Sequence, residues 1–259
     1  MTWLPSMEPP STHQPEEVTT PDSPDGERLP PFETADLREN LARFLDAPFT
    51  DPSPPGAAMP IGNWRWGVYA FYDYDGEPIY VGQTNERLRT RIRRHLTNQR
   101  TDAVAMSVLD PFEVLEIELW PLPQFQDTPG SDAAARAHLN ALERQVTEAA
   151  IAQSRFHAIL NEKDPPAALC HVAIPASRRG RIVSDAVRRL RSHPDFRIAR
   201  RALIMSRLAQ VIAERQVQGG LRRVLLIQAT RLQWLAQRRF DALGGAALVT
   251  SDAEDSDAL

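Results

Sequence analysis

The pattern of apolar and polar residues predicts three strands in the middle of the chain. Residues 66–82 are rich in aromatic and β-branched residues on both sides of the dipeptide Asp75-Gly76, which is typical of a tight β-hairpin. Residues 112–120 alternate apolar and acidic positions, as a strand does when one face is buried and the other meets solvent. These segments predict a small antiparallel sheet of three strands.

Apolar residues at helical spacing accompany these strands. They recur at every fourth position over 85–96, which predicts a helix. Ser131 or Asp132 is placed to cap a longer helix that runs to about Gln153. The order strand, strand, helix, strand, helix predicts an α+β domain over residues 61–165, in which helices flank the three-stranded sheet.

Residues 175–245 carry a helical pattern without a strand signal, so they predict an all-helical C-terminal region. Apolar residues recur there at helical spacing, and arginines occupy the remaining faces. The pair Gly219-Gly220 predicts a break, because glycine weakens helix interiors and favours helix ends. The three helices are expected over 182–192, 195–217 and 221–242.

The two ends of the chain lack a core-forming pattern. Residues 1–60 contain thirteen of the 22 prolines and carry a net charge of −8, and both properties oppose collapse. We expect a mostly disordered arm interrupted by one short helix over 35–46, for which Thr34 is an N-cap candidate. The acidic residues 246–259 predict a disordered tail.

Charge and composition narrow the classes of protein further. Residues 175–245 hold sixteen of the 29 arginines and a net charge of +12, although the whole chain has −4, and such a basic block is typical of a polyanion-binding surface. The single cysteine, Cys170, excludes an internal disulfide. No run of about 18 apolar residues predicts a membrane span, and the first residues lack a secretory pattern, so we expect a cytoplasmic protein without membrane contact.

Two tripeptides on the predicted hairpin carry the strongest chemical signal. Gly67-Val68-Tyr69 lies on the first strand and Tyr80-Val81-Gly82 on the second. The helix that follows carries Arg91 and His95, which project from neighbouring turns because they are four residues apart. An arginine there can bind phosphate oxygens through two N–H groups. A tyrosine hydroxyl can accept a proton once a nearby cation lowers its pKa.

With the third strand and a downstream acid and asparagine, these motifs resemble the GIY-YIG nuclease family over about residues 64–165. The resemblance implies an α+β nuclease domain in which Tyr69 and Arg91 are catalytic. It also places Tyr80 at the second tyrosine position of the family, and His95 at the position of a further catalytic tyrosine or histidine.

The resemblance further implies one divalent metal ion, bound by a glutamate of the long helix that precedes an asparagine of the site. Asn161 follows that helix directly and fits the asparagine. Glu148 is favoured as the metal ligand because of its spacing to Asn161, and Glu143, which lies nearer the apolar face of the helix, is the alternative. One carboxylate, with water and phosphate completing the shell, suits Mg²⁺ or Mn²⁺.

The sequence thus predicts a metal-dependent endonuclease that hydrolyses DNA phosphodiester bonds and binds DNA through its arginine-rich helices. The alternative is a catalytically silent or regulated nuclease-like subunit that docks a protein partner through its C-terminal helices. The expected DNA-binding residues are Arg87, Arg94, Arg178, Arg179, Arg181, Arg188 and Arg189.

Overall fold

The structure, a computed structural model, describes residues 32–50, 58–97, 108–167, 170–215 and 219–245. These residues belong to one compact unit. The predicted acidic tail and most of the predicted disordered arm lie outside the described residues.

The described residues form six α-helices and six β-strands. The helices are α1 (Phe32–Asp46), α2 (Leu88–Leu96), α3 (Ala133–Gln153), α4 (Asp185–Arg191), α5 (Pro194–Glu214) and α6 (Gly219–Ala242). The strands are β1 (Pro48–Phe49), β2 (Met59–Pro60), β3 (Arg65–Tyr72), β4 (Pro78–Arg87), β5 (Glu116–Pro121) and β6 (Arg178–Arg181). The predicted α+β class is confirmed.

The main sheet is antiparallel and has the strand order β4-β3-β5-β6. Its central strand β3 has two hydrophobic faces, because side chains alternate along a strand. Val68 and Ala70 pack towards α3 in one core. Tyr69 and Phe71 point the other way, into a second core that also receives apolar residues of α1, α2, α5 and α6.

The main sheet has four strands, although three were expected. The fourth strand, β6, was not predicted because its sequence has no hydrophobic pattern. Its sequence is Arg-Arg-Gly-Arg, and its arginines are exposed. The strand is held by polar contacts across the pair: Arg179 bonds to Glu116 at 2.7 Å, and Arg179 also stacks on the ring of Tyr72. Cross-strand pairs of opposite charge stabilise a sheet without any apolar alternation.

Several predicted boundaries shift in the structure. Strand β4 continues to Arg87, so the next helix begins at Leu88 and not at residue 85. Helix α1 begins at Phe32, which places Thr34 inside its first turn and not at its N-cap. Helix α3 ends at Gln153 as predicted, and the side chain of Asp132 caps it by accepting a hydrogen bond from the amide of Ala135 at 2.8 Å.

The C-terminal helices share a core with the sheet. Leu208 of α5 and Val224 of α6 are buried in the same cluster as Tyr69. The helical region expected over 175–245 therefore lies in one compact unit with the α+β region. Helix α5 begins at Pro194 after the N-cap His193, one residue before the expected start. The predicted glycine break forms the first turn of α6. No helix of the described segments is long and apolar enough to cross a membrane.

Candidate active site

Tyr69 lies at the centre of the predicted constellation. Its side chain is fully buried beneath α2. The Tyr69 hydroxyl accepts a hydrogen bond from Nε of Arg91 at 3.1 Å and lies 2.8 Å from Nε2 of His95. This arrangement requires a glycine opposite Tyr69 on β4. A Cβ at Gly82 would lie only 2.5 Å from the Tyr69 hydroxyl oxygen. The structure therefore brings the two tripeptides together around one phenol.

Helix α2 supplies Arg91 and His95 from the edge of its apolar face. Leu88, Ile92 and Leu96 are buried and fix the helix against the sheet. Arg91 is half-buried and His95 is 7% exposed. The i, i+4 spacing places both on the same side of the helix, so packing of the apolar stripe sets the direction of the two functional groups.

Burial decides the protonation of Tyr69. Desolvation raises its pKa far above the usual range of a phenol, the neighbouring Tyr80 raises it further, and Arg91 lowers it only in part. The Tyr69 hydroxyl is therefore neutral at physiological pH. The Tyr69 oxygen accepts a hydrogen bond from Arg91, and the hydroxyl shares a second hydrogen bond with Nε2 of His95.

Tyr80 is the tyrosine that faces a cleft. Its ring stacks at 5.7 Å from Phe71 and lies 5.4 Å from the ring of His95, measured between centroids. The cleft has a volume of about 540 Å³, and Tyr80, Arg91, His95 and residues 161–166 are among the residues that line it. Three of the four predicted catalytic side chains of the hairpin and α2 thus line one cleft, and the fourth, Tyr69, is buried.

The two candidate glutamates lie on different faces of α3. Glu143 is half-buried and lines the cleft with Arg91. Burial raises the pKa of Glu143 to about 7, although Arg91 and a hydrogen bond with Gln83 lower it. Glu148 is exposed and pairs with Arg144 at 2.8 Å. Five residues turn a helix by about 140° beyond a full turn, so the two glutamates cannot both face the cleft. Glu143, the alternative of the sequence analysis, is the one that lines it.

The sequence analysis missed Asn140, a polar side chain that shares the partner Gln83 with Glu143. Asn140 lies one turn earlier on α3, and its Oδ1 accepts a hydrogen bond from Nε2 of Gln83 at 2.8 Å. Gln83 follows Gly82 directly and bonds to Glu143 as well. The signal in the sequence was the i, i+3 spacing of Asn140 and Glu143, which places them on one face.

Asn161, predicted as a catalytic residue, holds the edge of the sheet. Its side-chain Oδ1 accepts from the amide of Val81 at 3.1 Å, and its Nδ2 donates to the Val81 carbonyl at 2.6 Å. The amide of Leu160 donates to the carbonyl of Ile79 at 2.8 Å. This side chain therefore fixes β4 on both sides of Val81, and with it the positions of Tyr80 and Gly82.

Most of the predicted DNA-binding arginines bond to other residues of the protein. Arg178 donates to the carbonyl of Pro48. Arg87 and Arg189 are exposed. Those that pair with a nearby carboxylate are Arg94, Arg179, Arg181 and Arg188. Their role in DNA binding stays a prediction.

Other arginines of the basic region are buried in what we call the arginine junction, formed by Asp73, Glu113, Arg197, Arg201 and Arg231. Each of these side chains is at most 11% exposed. Oδ2 of Asp73 accepts from Arg231 at 2.7 Å, from Arg201 at 2.9 Å and from Arg197 at 3.3 Å. Part of the +12 charge of residues 175–245 is thus neutralised inside the protein.

Comparison with protein families agrees with the geometry of the site. The family model of the GIY-YIG catalytic domain matches residues 65–125. The matched range contains Tyr69, Tyr80, Arg91 and His95, and it ends before α3 and its glutamates. No solved structure matches the chain at a significant level. Residues 65–125 of this chain are therefore similar to the GIY-YIG catalytic domain, the catalytic domain of a nuclease family.

Proposed function

We propose that this protein is a divalent-metal-dependent endonuclease that hydrolyses phosphodiester bonds of DNA in the cleft between α2 and α3. The observation that carries the proposal is the convergence of Arg91, Tyr80, His95 and Glu143 on one cleft, within and beside the GIY-YIG domain. These groups supply a cation for phosphate, groups that move protons and a carboxylate, which are what phosphodiester hydrolysis needs.

Arg91 is the residue that we assign to the reacting phosphate. Its Nε is engaged by Tyr69, and no described carboxylate lies within 4 Å of its guanidinium. The two Nη groups can therefore bind phosphate oxygens as a fork. Tyr69 holds this fork in place, so we assign it as a positioning residue and not as the base.

Tyr80 and His95 are the groups that we assign to proton transfer. Both line the cleft, and their rings are in contact. His95 also lies 2.8 Å from the neutral Tyr69 hydroxyl, so the imidazole has a second polar contact that fixes its orientation. A water molecule in the cleft can lose its proton to this pair as it attacks phosphorus.

Glu143 is the residue that fits a divalent cation. It is the acidic side chain of α3 that lines the cleft. Among the described segments, no group of three or more His, Cys, Asp or Glu residues is placed to hold a metal ion by itself. One carboxylate suits Mg²⁺ or Mn²⁺, which retain water and take further ligands from substrate phosphate. The chemistry that such an ion supplies when bound is Lewis-acid polarisation of a phosphate oxygen. A carboxyl whose pKa is raised to about 7 also gains strongly from a nearby cation.

Cleavage assays with matched glutamine variants test this proposal. Supercoiled plasmid and labelled duplexes are incubated with the protein in Mg²⁺, Mn²⁺ or EDTA. We expect cleavage only with metal, a loss of about 100-fold or more for Glu143→Gln, and near wild-type activity for Glu148→Gln. Cleavage in EDTA, or equal activity of Glu143→Gln and wild type, contradicts the proposal.

A further inference from the structure

The chain contains one lysine, and that lysine lines the cleft. Lys163 is the single lysine beside 29 arginines. It lies in the segment between Asn161 and Asp164, which lines the cleft together with Tyr80, and it is exposed. No described carboxylate lies within 4 Å of its ammonium group. Its charge is therefore not neutralised by an ion pair with any described residue.

The segment that carries Lys163 is fixed by helix α6. Nη2 of Arg223 donates to the carbonyls of Asn161 and Glu162 at 3.2 and 3.4 Å, and its Nη1 pairs with Asp164 at 2.9 Å. Gly220 packs so closely on the Glu162 carbonyl that a Cβ there would overlap it. Hydrogen bonds thus fix the backbone next to Lys163, while its side chain is exposed and lines the cleft.

The described lining of the cleft contains one lysine and one arginine, Lys163 and Arg91. The nearby Arg223, which is not in the lining, pairs with Asp164. Arg91 is held through its Nε by Tyr69 and is half-buried. Lys163 therefore offers an approaching polyanion an exposed positive charge beside Arg91, although the carboxylates of Glu143, Glu162 and Asp164 line the same cleft.

We propose that Lys163 binds a backbone phosphate of the DNA substrate at the opening of the cleft, next to the phosphate that Arg91 holds. This assignment rests on the proposed function. A lysine acts here as a compact point charge on a flexible stem, so it tolerates different DNA sequences and orients the strand across the cleft. Helix α6 lies outside the matched family range, and through Arg223 it contributes to substrate binding without touching the substrate.

Chemical labelling tests the contact directly, because an amine-selective reagent can modify only Lys163 and the terminal amine. The protein is acetylated in EDTA with and without saturating duplex DNA, and peptide mass spectrometry follows each site. A matched control is Arg38→Lys, which adds a second amine at an exposed position of α1, outside the cleft and outside the basic region 175–245. We expect DNA to slow labelling of Lys163 at least fivefold relative to the terminal amine and to the introduced one. Equal protection of all three sites, or none at Lys163, overturns the assignment.

Affinity measurements supply a second, independent readout. Lys163→Gln should lower duplex affinity and reduce the log–log salt slope by about 0.9, the value for one phosphate contact, whereas Lys163→Arg retains both. Arg38→Gln makes the same charge change on α1, away from the cleft, and should leave the slope unchanged. A wild-type slope for Lys163→Gln overturns the assignment. If wild type neither binds nor cleaves any duplex, the proposed function itself falls; if it binds and cleaves while Lys163 is unprotected, only the lysine assignment falls.

Discussion

The active-site cleft and the arginine junction lie at different places along the same β3–β4 hairpin, and they use arginine in opposite ways. At the junction, Asp73 accepts from three arginines and Glu113 bonds to Arg201 at 3.0 Å. In the cleft, Arg91 has a neutral phenol as its hydrogen-bond partner. Both sites are shielded from solvent to some degree, so the difference lies in the partner and not in exposure alone.

This difference indicates which arginines are available to a ligand. A buried arginine with carboxylate partners has its charge and N–H groups engaged, and it stabilises the fold only while all partners remain. An arginine held by a phenol keeps its full charge for an incoming phosphate. Counting arginines in a sequence does not separate the two kinds, which is why the +12 region was expected to bind DNA as a whole.

The largest effect is expected from breaking the junction. Asp73→Asn removes the charge that three buried arginines share, so we expect the free energy of unfolding to fall by about 3–5 kcal/mol. Urea denaturation followed by circular dichroism measures it. Glu39→Gln breaks an exposed pair with Arg43 on α1 and should cost less than about 0.5 kcal/mol. Similar losses for the two variants would show that the junction does not hold the hairpin to α5 and α6.

A pair of arginine variants separates catalysis from stability. Arg91→Ala should lower the cleavage rate by about 10²–10³-fold because it removes one contact to the charge of the transition state, and it should unfold close to wild type. Arg201→Ala should instead destabilise the fold, because it leaves Glu113 and Asp73 short of a partner. Single-turnover cleavage and urea denaturation are measured on both. A folded Arg91→Ala protein with full activity would remove Arg91 from the site.

Two glycine variants test the close packing behind the cleft. Gly82→Ala places a methyl group against the Tyr69 hydroxyl, and we expect it to cost about 1–3 kcal/mol of stability by overpacking. It should also lower activity, because Arg91 and His95 both bond to that hydroxyl. Gly219→Ala, at a position open to solvent in α6, should be neutral or stabilise by up to about 1 kcal/mol. Thermal unfolding gives both values, and equal melting temperatures would contradict the steric argument.

The smallest effect concerns the raised pKa of Glu143. The pKa of this carboxyl is about 7 in the folded protein and lower in the unfolded chain. The folded state therefore binds more protons between about pH 4.5 and 7, and the free energy of unfolding falls as the pH rises through this range. Without metal at pH 8, Glu143→Gln should therefore be more stable than wild type by about 1–2 kcal/mol, since cleft water reduces the full value. At pH 4 the two should be equal. Equal stability of Glu143→Gln and wild type at pH 8 contradicts the raised pKa.

Sequence reasoning recovered the parts of the site that depend on local spacing. The two tripeptides and the i, i+4 pair Arg91 and His95 were found because strand register and helix period fix their directions. The preference for Glu148 used the distance to Asn161 along the chain and not the face of the helix, and it is Glu143 that lines the cleft. The contact of Gln83 with Asn140 depends on how α3 packs on the sheet, which no local pattern contains.

The fold was less predictable where long-range charge replaces hydrophobic periodicity. Strand β6 consists of arginine and glycine, so only its partners Glu116 and Glu118 reveal it as a strand. The arginine junction joins Asp73 in the hairpin turn to residues more than 120 positions later. A truncation near Pro175, which the sequence suggests as a domain boundary, would remove β6 and leave Asp73 and Glu113 buried without their cations.

Both edges of the main sheet are closed to further strands, which has a consequence for how the protein behaves at high concentration. An exposed strand edge offers unpaired amides and carbonyls to a neighbouring molecule and promotes aggregation. At β4, the backbone of Leu160 and the side chain of Asn161 occupy the free groups of Ile79 and Val81. At the opposite edge, the exposed arginines of β6 would repel the same strand of a second molecule. The residues that shape the cleft and frame the sheet thus also limit self-association.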